Sequence, residues 1–294
     1  MITNKIVLNL LFILSLYSLV AFAVNPPFGR LSVKSGQLTG AKGQAVQLRG
    51  ISLWFSMWLT QWYSPEAVKA IKCFFNGNVV SSLSKSSLKN SNFQQVRAAI
   101  GTCCSGYLEN PNAAIKAATT VADAAIANGI YFIIDWHDVA NEKCTNDAEF
   151  KKFTDSSITF FTTILRKYKG YPNMVLELWN EPICPWNKLK QYYTAVLARI
   201  RKLDPYVVVI LGTPWQSSGP TDEVINSPVL GRNLIWAFMD QNKLSYAKWS
   251  LSNKDEVYSL VLPHCTPAQA NQTSCLSPSG KLLREHMLKQ KNGK

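Results

Sequence analysis

The sequence lacks most of the marks that would assign it to a nucleotide, a metal or a bilayer. It has three histidines and no C-x-x-C pair, so the spacing of a zinc site is missing. No G-x-G-x-x-G follows the first predicted strand, and a dinucleotide site has no support. Beyond the N-terminus, no apolar run is long enough to span a membrane. Acidic residues are scarce, 18 against 31 Lys and Arg, for a net charge of +13. The basic residues are scattered, however. Their densest group, the C-terminal KLLREHMLKQKNGK, reads as a solvated amphipathic helix end rather than a nucleic-acid arm. No metal, cofactor, nucleic-acid partner or membrane partner is expected.

What is present is globular. Hydrophobic residues make up 47% and charged residues 17% of 294 residues, enough for one large core. Residues 1–23 read as a signal peptide: Lys5, then an apolar stretch, then Ala21, Phe22 and Ala23 as a small-residue cleavage pattern. Residues 24–294 read as a single domain of a secreted, extracellular monomer. Seven cysteines suit an oxidising compartment, and their odd number leaves one without a partner in the chain. Cys265 and Cys275 flank a turn-rich loop and could bridge, whereas the adjacent Cys103 and Cys104 are not expected to bridge each other. Asn271, in Asn-Gln-Thr, is a glycosylation acceptor.

Strand-like and helix-like segments alternate. AVQLRGISLW reads as a first strand, and Ser64 with Pro65 opens a helix. NAAIKAATTVADAAIANG is a helix stopped by Gly129. IYFIIDWHD and NMVLELWNEP are short, continuously apolar strands of the parallel, buried kind. This pattern predicts an α/β fold, a (β/α)₈ TIM barrel rather than a doubly wound sheet. One stretch breaks it. The serine-rich residues 81–96 interrupt a strand, and deleting them restores NVVRAAIG, so they read as an aberrant insert.

In such a barrel the active site lies at the C-terminal strand ends. Those ends carry Arg97, His137, Asn180, Glu181 and Trp249. Amides and charged groups suit sugar hydroxyls, and indole suits pyranose C–H faces. Each also has a plain structural reading: His137 as a satisfied core histidine, Arg97 as an ion-pair partner of Glu177 or Asp135. Their shared address favours a site.

On QLRGISL, VRAAIG, GYLENP, IIDWHD, LWNEP and KLSYAKWSLSNK, the chain resembles glycoside hydrolase family 5. It is most similar to secreted endo-β-1,4-glucanases of bacteria and plant-parasitic nematodes. The resemblance implies retaining cleavage of β-1,4-glucan, with Glu181 as acid/base. It also implies Asn180, Arg97 and His137 as supporting residues, and Trp58 and Trp249 as rings that stack on glucosyl units. The family's nucleophile, a glutamate at the end of the seventh strand, has no matching motif here. The family pattern breaks at Ile235 and Trp236, where strand six reads as truncated and strand seven as missing. Glu223 and Glu256 are the carboxylates left to reach the cleft. Two functions are therefore carried forward: a cellulase by family that is inactive as written, and a non-catalytic glucan-binding or inert secreted protein. A mis-spliced gene model would explain both defects.

Overall fold

A computed structural model of the protein describes residues 24–73, 93–139, 143–217, 239–241 and 243–291. The expected signal peptide, residues 81–92 of the expected insert, Glu223, and the junction at Ile235 and Trp236 lie outside them. Ahead of the main sheet the chain folds back on itself. β1 (Ser32–Lys34) and β2 (Gln37–Thr39) form an antiparallel hairpin.

Six strands follow: β3 (Arg49–Leu53), β4 (Gln95–Gly101), β5 (Tyr131–His137), β6 (Met174–Glu177), β7 (Val208–Ile210) and β8 (Tyr246–Leu251). They form one sheet in the order β7-β6-β5-β4-β3-β8, and every pair is parallel. The last strand thus lies beside the first, as a (β/α)₈ barrel requires. Among the described residues β7 and β8 do not pair with each other, so the wall is open between them.

Helices return the chain between strands: α1 (Pro65–Cys73), α2 (Pro111–Asn128), α3 (Asp147–Tyr168) and α4 (Trp186–Leu203). Their ends follow the expected chemistry. The Ser64 hydroxyl accepts from the Ala67 N–H. Asn110 caps α2, and Gly129 ends it at φ 64°, the left-handed geometry that glycine adopts without a Cβ clash. A short α5 (Pro214–Ser217) and a C-terminal α6 (Pro278–Lys291) follow.

Side-chain alternation splits each strand between two environments. Val96, Ala98, Ile100, Phe132, Ile134, Trp136 and Leu176 face the helices and belong to the main core. Leu31, Val46, Leu48, Tyr131, Ile133 and Val175 form a second cluster inside the wall, against the hairpin. The second strand also begins earlier than its sequence suggests. Gln95 and Val96, assigned to the insert, pair in register with Gly50 and Ile51. Phe93 just before them is buried. The last residues of that interval are sheet and core, because they carry the same apolar, in-register pattern as the strand they precede.

Candidate active site

The inward positions of three adjacent strands build the centre of the site. Alternation puts Gln95 and Arg97 on the inner face of β4, Ile133 and His137 on that of β5, and Val175 and Glu177 on that of β6. All six line one cavity of about 960 Å³. Asp135 opposes Ala99 and Glu177 in the parallel register, which brings it beside Arg97.

Arg97 is the hub. Its Nε and Nη2 donate to the two oxygens of Glu177 at 2.7 and 2.8 Å. Nη2 also donates to Asn180 Oδ1 at 2.8 Å and lies 2.8 Å from Asp135 Oδ2. Nη1 reaches Ser52 Oγ at 3.3 Å. A planar fork of donors matches this set of acceptors in a way a lysine does not. Asp135 Oδ2 also meets His137 Nδ1 at 2.5 Å. Burial pushes the Asp135 carboxyl up to about 7, with Arg97 pulling the other way. Burial, then the Arg97 charge, lowers His137 to about 3. The imidazole is therefore neutral at ordinary pH. The plain readings of Arg97 as an ion-pair partner and of His137 as a satisfied histidine both hold, inside the candidate site.

Glu181 reaches the cavity by leaving the strand. β6 ends at Glu177, and the chain continues as Leu178 N–H to Ile210 O (3.1 Å) and Asn180 N–H to Trp136 O (3.1 Å). Glu181 then adopts φ 41°, a positive value unusual for a residue with a side chain. Its surroundings fix that turn. The buried Tyr192 hydroxyl of α4 donates to Leu178 O at 2.7 Å. Tyr193 donates to Gly212 O at 2.7 Å. A Cβ at Gly212 would lie 2.6 Å from Trp179 O and 2.7 Å from Pro182 Cδ, so only glycine lets the two loops meet. A Cys144–Cys184 disulfide joins the loop after β5 to the loop after Glu181. That bridge was not legible from spacing. The expected Cys265–Cys275 bridge is present.

The aromatic wall differs in part from expectation. Trp249 lines the cavity and stacks on His137, ring centres 5.7 Å apart and planes 14° apart. Phe55 packs beside both rings, 4.7 Å from His137 and 5.1 Å from Trp249. Trp58 does not line the cavity. It is half exposed and packs on Trp54 and Phe55 at 5.5 and 5.2 Å. Trp54 takes the inner place, with Lys254 Nζ 4.4 Å over its ring. Its indole N–H donates to Glu256 Oε1 at 3.1 Å, and Lys254 pairs with Glu256 at 3.2 Å. Sequence reasoning missed Trp54 and Lys254. The cue available was their company with Trp249 in KWSLSNKDE and with Trp58 in LWFSMW. No cluster of three or more metal-ligand side chains occurs among the described residues.

Arg97, expected at a strand end, sits within β4, which runs on to Gly101. An all-parallel barrel wall with a guanidinium and carboxylates inside it and indoles around the same cavity is built as a glycoside-hydrolase barrel. Comparison with known proteins gives the family. Residues 39–246 match the model of Cellulase (glycosyl hydrolase family 5), and the chain belongs to that family. Endoglucanase 5 of Pectobacterium carotovorum is 26% identical over 88% of this chain and 57% of its own length. Endoglucanase Z of Dickeya dadantii is 37% identical over 55% of this chain and 36% of its own. The chain thus spans less than two thirds of these relatives. A structure from Cytophaga hutchinsonii superimposes with a TM-score of 0.74 at 28% identity, covering 90% of this chain and 96% of its own. The catalytic domain of Thermobifida fusca endoglucanase in complex with cellotetraose shares the fold, with a TM-score of 0.70 at 23% identity over 90% and 99% of the two chains.

Proposed function

We propose that this chain is a secreted endo-β-1,4-glucanase by descent, that its cleft binds β-1,4-glucan, and that the chain as written does not turn it over. Glu181 is the acid/base, Asn180 holds the sugar beside it, and Arg97 and His137 fix the pocket. Trp249 offers its ring to a glucosyl unit, and Trp58 extends that surface at the rim.

Retaining hydrolysis uses two carboxyls about 5–5.5 Å apart, one donating its proton to the leaving oxygen and one attacking the anomeric carbon. Glu181 can do the first. Three carboxylates line the cavity among the described residues: Glu177, Glu181 and Glu256. The observation that carries the reading is that two of them are committed. Glu177 is held at two points by Arg97, and Glu256 is held by Lys254 and the Trp54 N–H. A nucleophile whose lone pairs are so engaged attacks poorly. Glu181 alone can protonate a glycosidic oxygen but cannot form the glycosyl-enzyme.

The test uses the full chain in a reducing-sugar assay on carboxymethyl cellulose, with cellotetraose binding followed by calorimetry. Binding without sugar release is the expected result. Release that Glu181→Gln abolishes would overturn the inactive reading, and absence of binding would sink the glucan cleft itself.

A further inference from the structure

Outside the cavity, one pair of nucleophilic side chains is unaccounted for by the glycosidase reading. Cys103 and Cys104 sit on the loop that leaves the C-terminal end of β4, with their Sγ atoms 2.8 Å apart. Cys104 is exposed and Cys103 partly so, and both are free thiols. The loop is braced without their help. Glu109 accepts from the N–H groups of Cys104 and Ser105 at 3.0 and 2.6 Å. Tyr107 N–H donates to Gly101 O and Leu108 N–H to Thr102 O, at 2.8 and 2.9 Å. Cys104 and Ser105 are held at φ 58° and 72°. The two sulfurs are therefore presented side by side by a fixed backbone.

We propose that Cys103 and Cys104 are a vicinal dithiol that a low-molecular-weight disulfide closes into an intrachain disulfide, and that mild reductant reopens. The exposed Cys104 thiolate attacks one sulfur of the small disulfide and expels the first small thiolate, leaving a mixed disulfide. Cys103 then loses its proton and attacks Cys104 Sγ. The Cys103–Cys104 bond forms and the second small thiol leaves. Two cysteine thiols are oxidised and one small disulfide is reduced to two thiols.

Neighbouring α-carbons are about 3.8 Å apart, short of the usual 4.4–6.8 Å range for disulfides. Adjacency is why the two were not expected to bridge; the strain it imposes makes a bond between them easily reduced. The Cys103–Cys104 bond is therefore the labile one, and Cys144–Cys184 and Cys265–Cys275 the durable ones. Burial and the Cys104 sulfur push the Cys103 thiol up to about 12. Closure is then slow at neutral pH and speeds up as pH rises.

The experiment treats the full chain with oxidised glutathione at pH 7 and pH 9, followed by peptide mapping. The peptide holding both cysteines should lose the mass of two hydrogens, faster at pH 9. Dithiothreitol at low concentration should restore it before either other disulfide opens. In Cys103→Ser the reaction should stop at a glutathione adduct on Cys104. A glutathione adduct that persists on the wild-type chain, a bridge to Cys73, or no reaction at all would each overturn the proposal. So would a Cys103–Cys104 bond that outlasts the other two in reductant.

Discussion

Arg97 grips both oxygens of Glu177, at 2.7 and 2.8 Å, on the floor of the cavity. The pair is the centre of a charge network in which one guanidinium balances two buried or half-buried carboxylates and orients an amide.

Breaking that pair from one side strands charge. Arg97→Met leaves Glu177 and Asp135 without their cation and should cost roughly 3–5 kcal/mol. Arg97→Lys should recover only part, because an ammonium cannot meet both oxygens in the plane. The double variant Arg97→Met with Glu177→Gln should be less destabilised than the two single losses summed. Urea denaturation midpoints check all three, and additive losses would contradict the network.

The His137 and Asp135 shifts have opposite consequences for stability. The folded carboxyl titrates near 7 rather than 3.8, so folding takes up a proton and stability falls as pH rises between those values. The folded imidazole titrates near 3 rather than 6.5, so stability rises with pH across that interval. Between about pH 4 and 6.5 the two slopes oppose each other. His137→Asn removes the second. Relative to wild type, the variant should lose on the order of 1 kcal/mol per pH unit in that window. A parallel pair of stability-against-pH curves would refute the shifts.

The two durable disulfides differ in span, 40 residues for Cys144–Cys184 and 10 for Cys265–Cys275. Loop-closure entropy predicts about 4 kcal/mol for the first and about 3 for the second. Cys144→Ser should therefore lower Tm more than Cys265→Ser. It should also weaken cellotetraose binding, because that bridge ties the loop behind Glu181 to the loop after β5. Calorimetric melting and titration of the two variants check the order.

Trp249 is the test of the aromatic wall. Trp249→Ala removes a ring face worth about 1–1.5 kcal/mol beyond its buried area, and cellotetraose affinity should fall about tenfold. Trp58→Ala, at the rim, should change it less. Equal losses would place Trp58 deeper than its exposure indicates.

Much of this was legible in the chain. Alternation along QVRAAIG and YFIIDWH already put Arg97 and His137 on one face, because side-chain direction has a period of two whatever the strand's neighbours. The barrel class, the Ser64 N-cap, the Gly129 stop and the Cys265–Cys275 bridge all rest on local chemistry and were read as such. Trp54 replacing Trp58 on the inner wall was not legible. Both lie within five residues in one loop, and only the packing of Phe55 against His137 and Trp249 decides which indole turns inward.

The sequence by itself determined the parallel barrel, the strands that carry the polar residues, and Glu181 as the carboxylate of NMVLELWNEP; that β6 stops at Glu177, with Glu181 beyond it, is the structure's correction. These follow from periodicity and from residue type, which act over a few positions. The tertiary structure decided which carboxylates are committed. Glu177 meets Arg97 across 80 residues of chain, and Glu256 meets Trp54 across 202. Such pairings depend on the register of neighbouring strands and on which loops share the rim. It also set Cys144 against Cys184 and Cys103 beside Cys104 in a braced turn, since sulfur chemistry depends on ångström distances that spacing along a chain does not fix.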